Sequence, residues 1–530
     1  MTERFQIISR RLEANPDAMA LFSACKPLSN EEYRLLLESS EAGHNGKQQS
    51  ILFLESALKI EARGQLVVIE SLTDNGAIVL QIIEQGFDTY DDQIAVKAEQ
   101  GRLELTYPDT RMVVEEHKRI VRLTSLDAAR QILSILGANQ LHDQDKLILA
   151  GVVGYDYVNM LEALPELAEG EFPDYLFLLA ESQVVIDGNA RRTEVRQILF
   201  GNQDNEAALA RARGRLASIA NIVATVTSSV EVDVAQQADI DFGQISVTPE
   251  SNIFKDQIAQ LKEAIDQGRI FQAVISREFE LDCHDTELAY AVLAKQNPSP
   301  YQFYLNLGKF TLFGASPESS LRFNSDDRTI SIMPIAGTRG RGRNSDGSIN
   351  LELDARLEAD LKLDEKELAE HLMLVDLARN DLARIAEPAS RYVSELMAIY
   401  RYASVMHMVS RVDAKLDEQL DAFHACQACF HMGTLSGAPK AEAMTLISEI
   451  EQRRRGTYGG AVGYFTAAGD MDTAIVIRSA LVQGSRAKIT AGAGIVYDSN
   501  PDLEVQETEL KATSVLRAIN LANEMEQNDD

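Results

Sequence analysis

The stretch "YGGAVGYFTAAGDMDTAIVIRSALVQGSRAKITAGAGIVYD", Tyr458 to Asp498, decides the fold class. Apolar runs rich in β-branched residues alternate here with glycine turns, and no helical period intervenes. Strands joined by turns rather than by helices pair antiparallel. A helix begins only at Pro501, where Asn500 and Pro501 supply start signals. Working backwards, "LILAGVVGYDYV" (147–158), "YLFLLAESQVVID" (175–187), "IFQAVISREFEL" (270–281) and the segments around "FGASPESSLRF" read as further strands. "GQLVVIESL" (64–72) and "GAIVLQIIEQG" (76–86) read as strands too. Helices are expected over 123–136, with a cap at Ser125 or Asp127, and over 202–226, 251–267 and 364–385. Without a βαβ rhythm, the expected class is α+β, with a mixed or antiparallel β-sandwich core and flanking helices.

The chain has 530 residues and 45% hydrophobic content, enough for large cores. The polar, strand-poor stretch "DVAQQADIDFGQISVTPES" sets a boundary: an N-terminal region, 1–245, lends strands to the core, and a catalytic domain spans 246–530. With 51 Lys+Arg against 81 Asp+Glu, the formal charge is −30. Such a surface argues against nucleic acid and against anionic membranes, which both need a basic face. No apolar run suits a signal peptide or a membrane span, so a cytoplasmic setting is expected. Four cysteines do not form a disulfide framework. Cys426 and Cys429, flanked by His424 and His431, read first as a small-residue helix and only then as a metal or redox site.

An anionic ligand in so acidic a chain needs local cations. "PIAGTRGRGR" (334–343) reads as a flexible basic loop carrying Arg339, Arg341 and Arg343. Arg478 and Lys511 add two more cations, and the glycine turns at 458–464 and 491–498 offer backbone amides. Glu367, Glu370 and Leu374 share one side of a helix; Glu504, Glu507 and Lys511 share a face of another. Two carboxylates from separate helices suit Mg²⁺, which takes few protein oxygens. Spacing alone does not tell this from a solvated acidic face.

Several motifs occur together: "PIAGTRGRG", "EHLMLVDLARNDLAR", "GTLSGAPKAEAM", "YGGAVGY" and "DLEVQETELKA". In order and spacing this set resembles the chorismate-utilising enzymes from about Ser251 onward, and "LLLESS" (35–40) resembles the tryptophan-sensing motif of the anthranilate-forming members. The resemblance implies conversion of chorismate and ammonia to anthranilate and pyruvate, with Mg²⁺ held by Glu370 and Glu507. It implies Glu318 as general acid, His407 as base for pyruvate elimination, and Thr338 beside them. Gly337 and Thr338 would line the substrate, while Tyr458, Arg478 and the amides of Gly492, Ala493 and Gly494 would receive the pyruvyl carboxylate, with Lys511 near the carboxylates. Relatives that attack the ring with their own lysine carry it at Ala336, and those that activate water carry a lysine at Gln272. Alanine and glutamine at these places leave ammonia as the nucleophile.

The resemblance further implies a glutamine amidotransferase partner subunit (component II), commonly in a heterotetramer, and feedback by tryptophan at Glu38, Ser39, Pro300, Tyr301 and Gln302. A family lysine in that site has Lys47 as its nearest counterpart. Two other readings stay open: an enzyme that stops at the aminodeoxyisochorismate, and a non-catalytic chorismate or tryptophan sensor.

Overall fold

The computed structural model describes residues 4–29, 32–40, 49–87, 93–111, 115–138, 140, 142–201, 206–226, 240–243, 245–344, 346–402 and 405–529. Lys47, residues 202–205 of the expected 202–226 helix, and 233–239 of the polar stretch lie outside them. The strands form one antiparallel network that runs two ways from its middle. At that middle the Gln49–Arg63 strand pairs with Tyr175–Asp187. One wing passes through Arg34–Ser39, Tyr301–Asn306, Thr311–Ser316, Ser479–Gln483 and Arg486–Ile495 to Gln272–Asp282. The other passes through Ile148–Val153, Ala461–Thr466, Met471–Ile475, Ser319–Asn324 and Thr329–Ile332 to Val405–Lys415.

The wings fold onto each other as a sandwich. Phe303, Leu305 and Leu312 of the first share a core with Leu321, Phe323, Ile330 and Phe465 of the second. The run "YLFLLAESQVVID" is apolar without alternation because it is covered on both faces. Its first half enters this core, and Val184 and Ile186 enter a second one beneath the terminal helix Pro501–Asp529. Helix Ser251–Asp266 buries Phe254, Ile258 and Leu261 at helical spacing against Ile275 and Ala493. Each such side chain contributes about 1.5–3 kcal/mol by leaving water. This helix therefore clamps the strand that carries Gln272.

Four expectations need correction. Residues 76–86 are not a strand: Asp74–Phe87 is a helix whose Gly76, Val79, Leu80, Ile83 and Phe87 face inward. Burial at a 3.6-residue period overrides the β-branched composition. Residues 335–340 are not a flexible loop but a strand, Ile335–Gly340, paired with Val405–Lys415. Residues 491–495 are likewise strand, within Arg486–Ile495, rather than a turn. The Asp127–Gly137 helix has neither expected cap: Asp127 instead accepts a 2.6 Å bond from the Thr124 amide.

Candidate active site

The Ile335–Gly340 strand is built around a bulge. Its register against Val405–Lys415 shifts between Ala336 and Thr338, which sets Ala336 opposite Met408 and Thr338 opposite His407. Gly337 sits at the bulge with φ of 83°, and a Cβ there would come within 3.0 Å of Leu361 Cδ1 and 3.3 Å of Glu367 Oε2. Glycine meets both demands, and the bulge re-aims the residues beside it. Arg339 and Arg341 fasten this strand and its exit. Arg339 donates to Glu367 (2.8 Å) and Asp364 (2.7 Å), and Arg341 to both oxygens of Asp354 (2.8 and 2.9 Å). Arg343 reaches the Gly347 carbonyl. The acidic excess of the chain thus supplies partners for its basic stretch.

Thr338 Oγ1 lies 2.9 Å from His407 Nδ1 and fixes the imidazole plane. Burial, then the nearby Arg478 charge, pushes His407 down to about 4, against a hydrogen bond to the Gly337 backbone. The ring is neutral at pH 7, so one of its nitrogens carries a lone pair. Glu318 is the opposite case. Burial pushes its carboxyl up to about 8, with Thr434, the Ile335 backbone and Lys511 pulling weakly the other way. It borders a cavity of about 300 Å³, mouth included, together with Leu374, Leu377, Met432, Thr434 and Asp381. Its backbone carbonyl accepts from the Ile475 amide at 3.0 Å, which locks the residue between two strands. An acid held above neutrality and a base held below it are the arrangement that proton transfer in both directions requires.

Three carboxylates come from two helices. Asp364 caps the Glu365–Ala383 helix through the amides of Lys366 and Glu367, and Glu370 stands one turn further, 3.7 Å from Lys366. Burial raises the Glu370 carboxyl; Lys366 opposes this, and the charges of Glu367, Glu507 and Glu504 add to it. Glu507 is pushed up by burial but held lower overall by Lys511, 2.6 Å away. Glu504 is raised by burial, and its Oε2 is buried without a hydrogen-bond partner. No cluster of three potential ligands in metal-binding geometry stands among the described residues. The donor chemistry nonetheless fits a hard cation: carboxylate oxygens only, mutually repelling, with one orphaned.

Tyr458, Arg478, Gly492 and Lys511 converge. A Cβ on Gly492 would meet the Tyr458 hydroxyl at 2.5 Å, so only glycine admits it. Arg478 Nη1 donates to the Lys511 carbonyl (2.5 Å), and Lys511 Nζ to the Gly492 carbonyl (2.9 Å). Gly492, Ala493 and Gly494 pair with Ser276, Ile275 and Val274. Part of their backbone hydrogen-bonding capacity is therefore taken by the sheet. Gln272, buried at the start of that partner strand, has its amide nitrogen 3.1 Å from where a Gly494 Cβ would stand.

A separate cavity, about 360 Å³ with its mouth included, lies between the wings. Glu38, Ser39, Tyr301 and Gln302 line it, as do Val462, Tyr464, Asp472 and Ala474, which sequence reading did not assign. Tyr464 stands inside a motif already singled out; Asp472 gives no local signal, and becomes visible through its 3.1 Å bond from the Tyr301 hydroxyl. Glu38 accepts from the Tyr290 hydroxyl at 2.9 Å, and the Gln302 amide donates to the Ala294 carbonyl. Pro300 does not line the cavity; its carbonyl accepts from the Ser40 amide. The Cys426 and Cys429 thiols are buried and pushed up by that burial. His424 closes a capping box with Asp421, and His431 Nε2 lies 2.5 Å from the Tyr155 carbonyl. The cysteine pair therefore belongs to packing.

Residues 91–517 match the chorismate binding enzyme family. Anthranilate synthase component 1 of Salmonella typhimurium is 45% identical over 494 residues, covering 93% of each chain. The Escherichia coli protein of the same name is 45% identical over 502 residues, again covering 93% of each. The crystal structure of anthranilate synthase component I from Streptococcus pneumoniae superposes with a TM-score of 0.68 at 28% identity, over 90% of this chain and 94% of that one. The menaquinone-specific isochorismate synthase of Escherichia coli shares the fold at 16% identity, with a TM-score of 0.66 over 98% and 95%. The chain belongs to the chorismate binding enzyme family, among the anthranilate synthase component 1 proteins.

Proposed function

We propose that the chain converts chorismate and ammonia to anthranilate and pyruvate. The observation that carries this reading is a buried carboxyl and a buried imidazole, each fixed in place: Glu318 is held by its carbonyl on the Ile475 amide, and His407 Nδ1 lies 2.9 Å from Thr338 Oγ1, with burial pushing the first up and the second down. Chorismate is a dianion whose two carboxylates need separate receivers. Glu370 and Glu507 would hold Mg²⁺, which when bound neutralises the ring carboxylate. Arg478, Tyr458 and the Gly492–Gly494 backbone receive the pyruvyl carboxylate, with Lys511 between the two ends. Gly337 and Thr338 line the substrate from the Ile335–Gly340 strand.

Ammonia's lone pair forms the new ring C–N bond, the ring double bonds shift, and the 4-hydroxyl departs as water with a proton from Glu318. His407 then takes the proton from the carbon bearing the amine. Those electrons aromatise the ring while the ring C–O bond breaks and releases enolpyruvate, which takes up a proton to become pyruvate as the added nitrogen gives up its extra one. Ala336 and Gln272 offer neither a nucleophile nor a base for water, so ammonia meets no competitor from the chain.

Free ammonia is scarce at neutral pH, which calls for a glutamine amidotransferase subunit, commonly assembled as a heterotetramer. The acidic surface and the buried free thiols suit a cytoplasmic enzyme. The chain alone should use ammonium salts and not glutamine, and adding the amidotransferase should confer glutamine use. Turnover of glutamine by the isolated chain would contradict this division. Replacing Glu507 with Gln should leave the fold intact and weaken Mg²⁺ binding at least about tenfold in calorimetric titration of the chorismate complex, with turnover lost.

Tryptophan is the proposed occupant of the cavity between the wings. Ile51 is one of its apolar walls. Ile51→Phe fills part of that space and should raise the tryptophan concentration that halves turnover by roughly tenfold or more, the scale set by overpacking. Unchanged inhibition would place tryptophan elsewhere.

A further inference from the structure

Beneath Tyr458 lies an ion pair that the reaction does not use. The side chains of Arg455 and Glu451 are 1% and 2% exposed. The guanidinium donates to both oxygens of Glu451 (2.7 and 3.0 Å), to the Leu435 carbonyl (2.8 Å) and to the Val274 carbonyl (2.6 Å). Glu451 Oε1 also accepts from the Ser276 amide (2.8 Å) and hydroxyl (2.9 Å). Asp156 takes the backbone amides of Arg455 (3.2 Å) and Gly456 (2.7 Å), which fixes the turn leading to Tyr458. The guanidinium stands 4.7 Å from the Tyr155 ring and 5.6 Å from the Tyr458 ring.

A buried ion pair is a poor source of stability, because desolvation cancels most of its attraction, and apolar residues of similar volume serve as well. What the guanidinium offers here is a rigid planar fork. It joins segments that each carry part of the site. Val274 stands two residues from Gln272 and pairs with Gly494; Ser276 pairs with Gly492. Leu435 follows Thr434, the hydrogen-bond partner of Glu318. The Tyr458 hydroxyl reaches the space that Gly492 leaves open.

We infer that Arg455, oriented by Glu451, is a positioning residue for chorismate binding: it holds the Tyr458 hydroxyl and the Gly492–Gly494 strand in register to receive a carboxylate. The inference rests on the chorismate reading above. It differs from a merely structural role in acting through Tyr458. Steady-state kinetics with ammonium on Arg455→Lys, Tyr458→Phe and the double variant separate the two. Each single change should raise the chorismate KM about tenfold with kcat within about threefold, and the double should exceed the worse single by no more than about twofold.

Wild-type chain that makes no anthranilate would defeat the chorismate reading itself. Active wild type with an unchanged KM in Arg455→Lys would overturn the inference, and so would single effects that multiply in the double variant. Should Arg455→Lys fail to fold, Glu451→Gln keeps the shape and the guanidinium while removing its orienting charge. It too should raise KM without adding to Tyr458→Phe; an unchanged KM or a multiplied effect there contradicts the role.

Discussion

Glu318→Gln should cut turnover with ammonium by roughly a thousandfold, within the range that a positioned general acid supplies. Glutamine keeps the shape and has no proton to give to the departing hydroxyl. The pH profile makes the test specific. In the proposed role Glu318 acts in its protonated form, which burial preserves up to about 8, so wild-type kcat at saturating ammonia should fall as pH rises through that value. The residual activity of the variant should lack that alkaline limb. Stability follows the same group. A carboxyl raised from the ordinary range near 4.5 to about 8 contributes stability that is fully present below about 4.5 and lost as pH rises toward 8. Wild type should therefore lose melting temperature across that window more steeply than Glu318→Gln. Equal slopes would mean that the carboxyl is not held in its protonated form.

His407→Asn should separate the two halves of the reaction. Amine addition needs the acid and not the imidazole, so the first half survives. The second half loses its base, and the product should change from fluorescent anthranilate to a non-aromatic aminodeoxyisochorismate, with anthranilate formation down by roughly a hundredfold or more. Because burial and Arg478 keep the wild-type ring neutral to about pH 4, the acid limb of anthranilate formation should lie near that value rather than near 6.5. Thr338→Val removes the Nδ1 partner and should reproduce part of the effect. Anthranilate produced by His407→Asn at the wild-type rate would assign the elimination base to another residue.

The motifs were legible because their residues are dictated locally. Gly337 needs its positive φ, the cap at Asp364 starts the helix that carries Glu370, and Pro501 starts the one that carries Glu507. What was not legible is set by partners far away in the chain. "PIAGTRGRGR" reads as a mobile basic loop until Asp354, Asp364 and Glu367 supply the acids that hold it as a strand. "AGAGI" reads as a turn until Tyr458 fills the room left by Gly492 and Gln272 that left by Gly494. "GAIVLQIIEQG" has strand composition, and only burial on one helical face shows its period. Arg455 stands within the run Arg453–Arg455, where nothing local tells the partly covered Arg453 and Arg454 from the one sealed inside.

The central claim is the reaction itself, and product identity tests it most directly. Purified chain with chorismate, Mg²⁺ and ammonium at mildly alkaline pH should yield anthranilate and pyruvate, identified by fluorescence and mass, and the yield should fall as tryptophan is added. Accumulation of a non-aromatic amino product by the wild-type chain, or chorismate left unchanged, would contradict it.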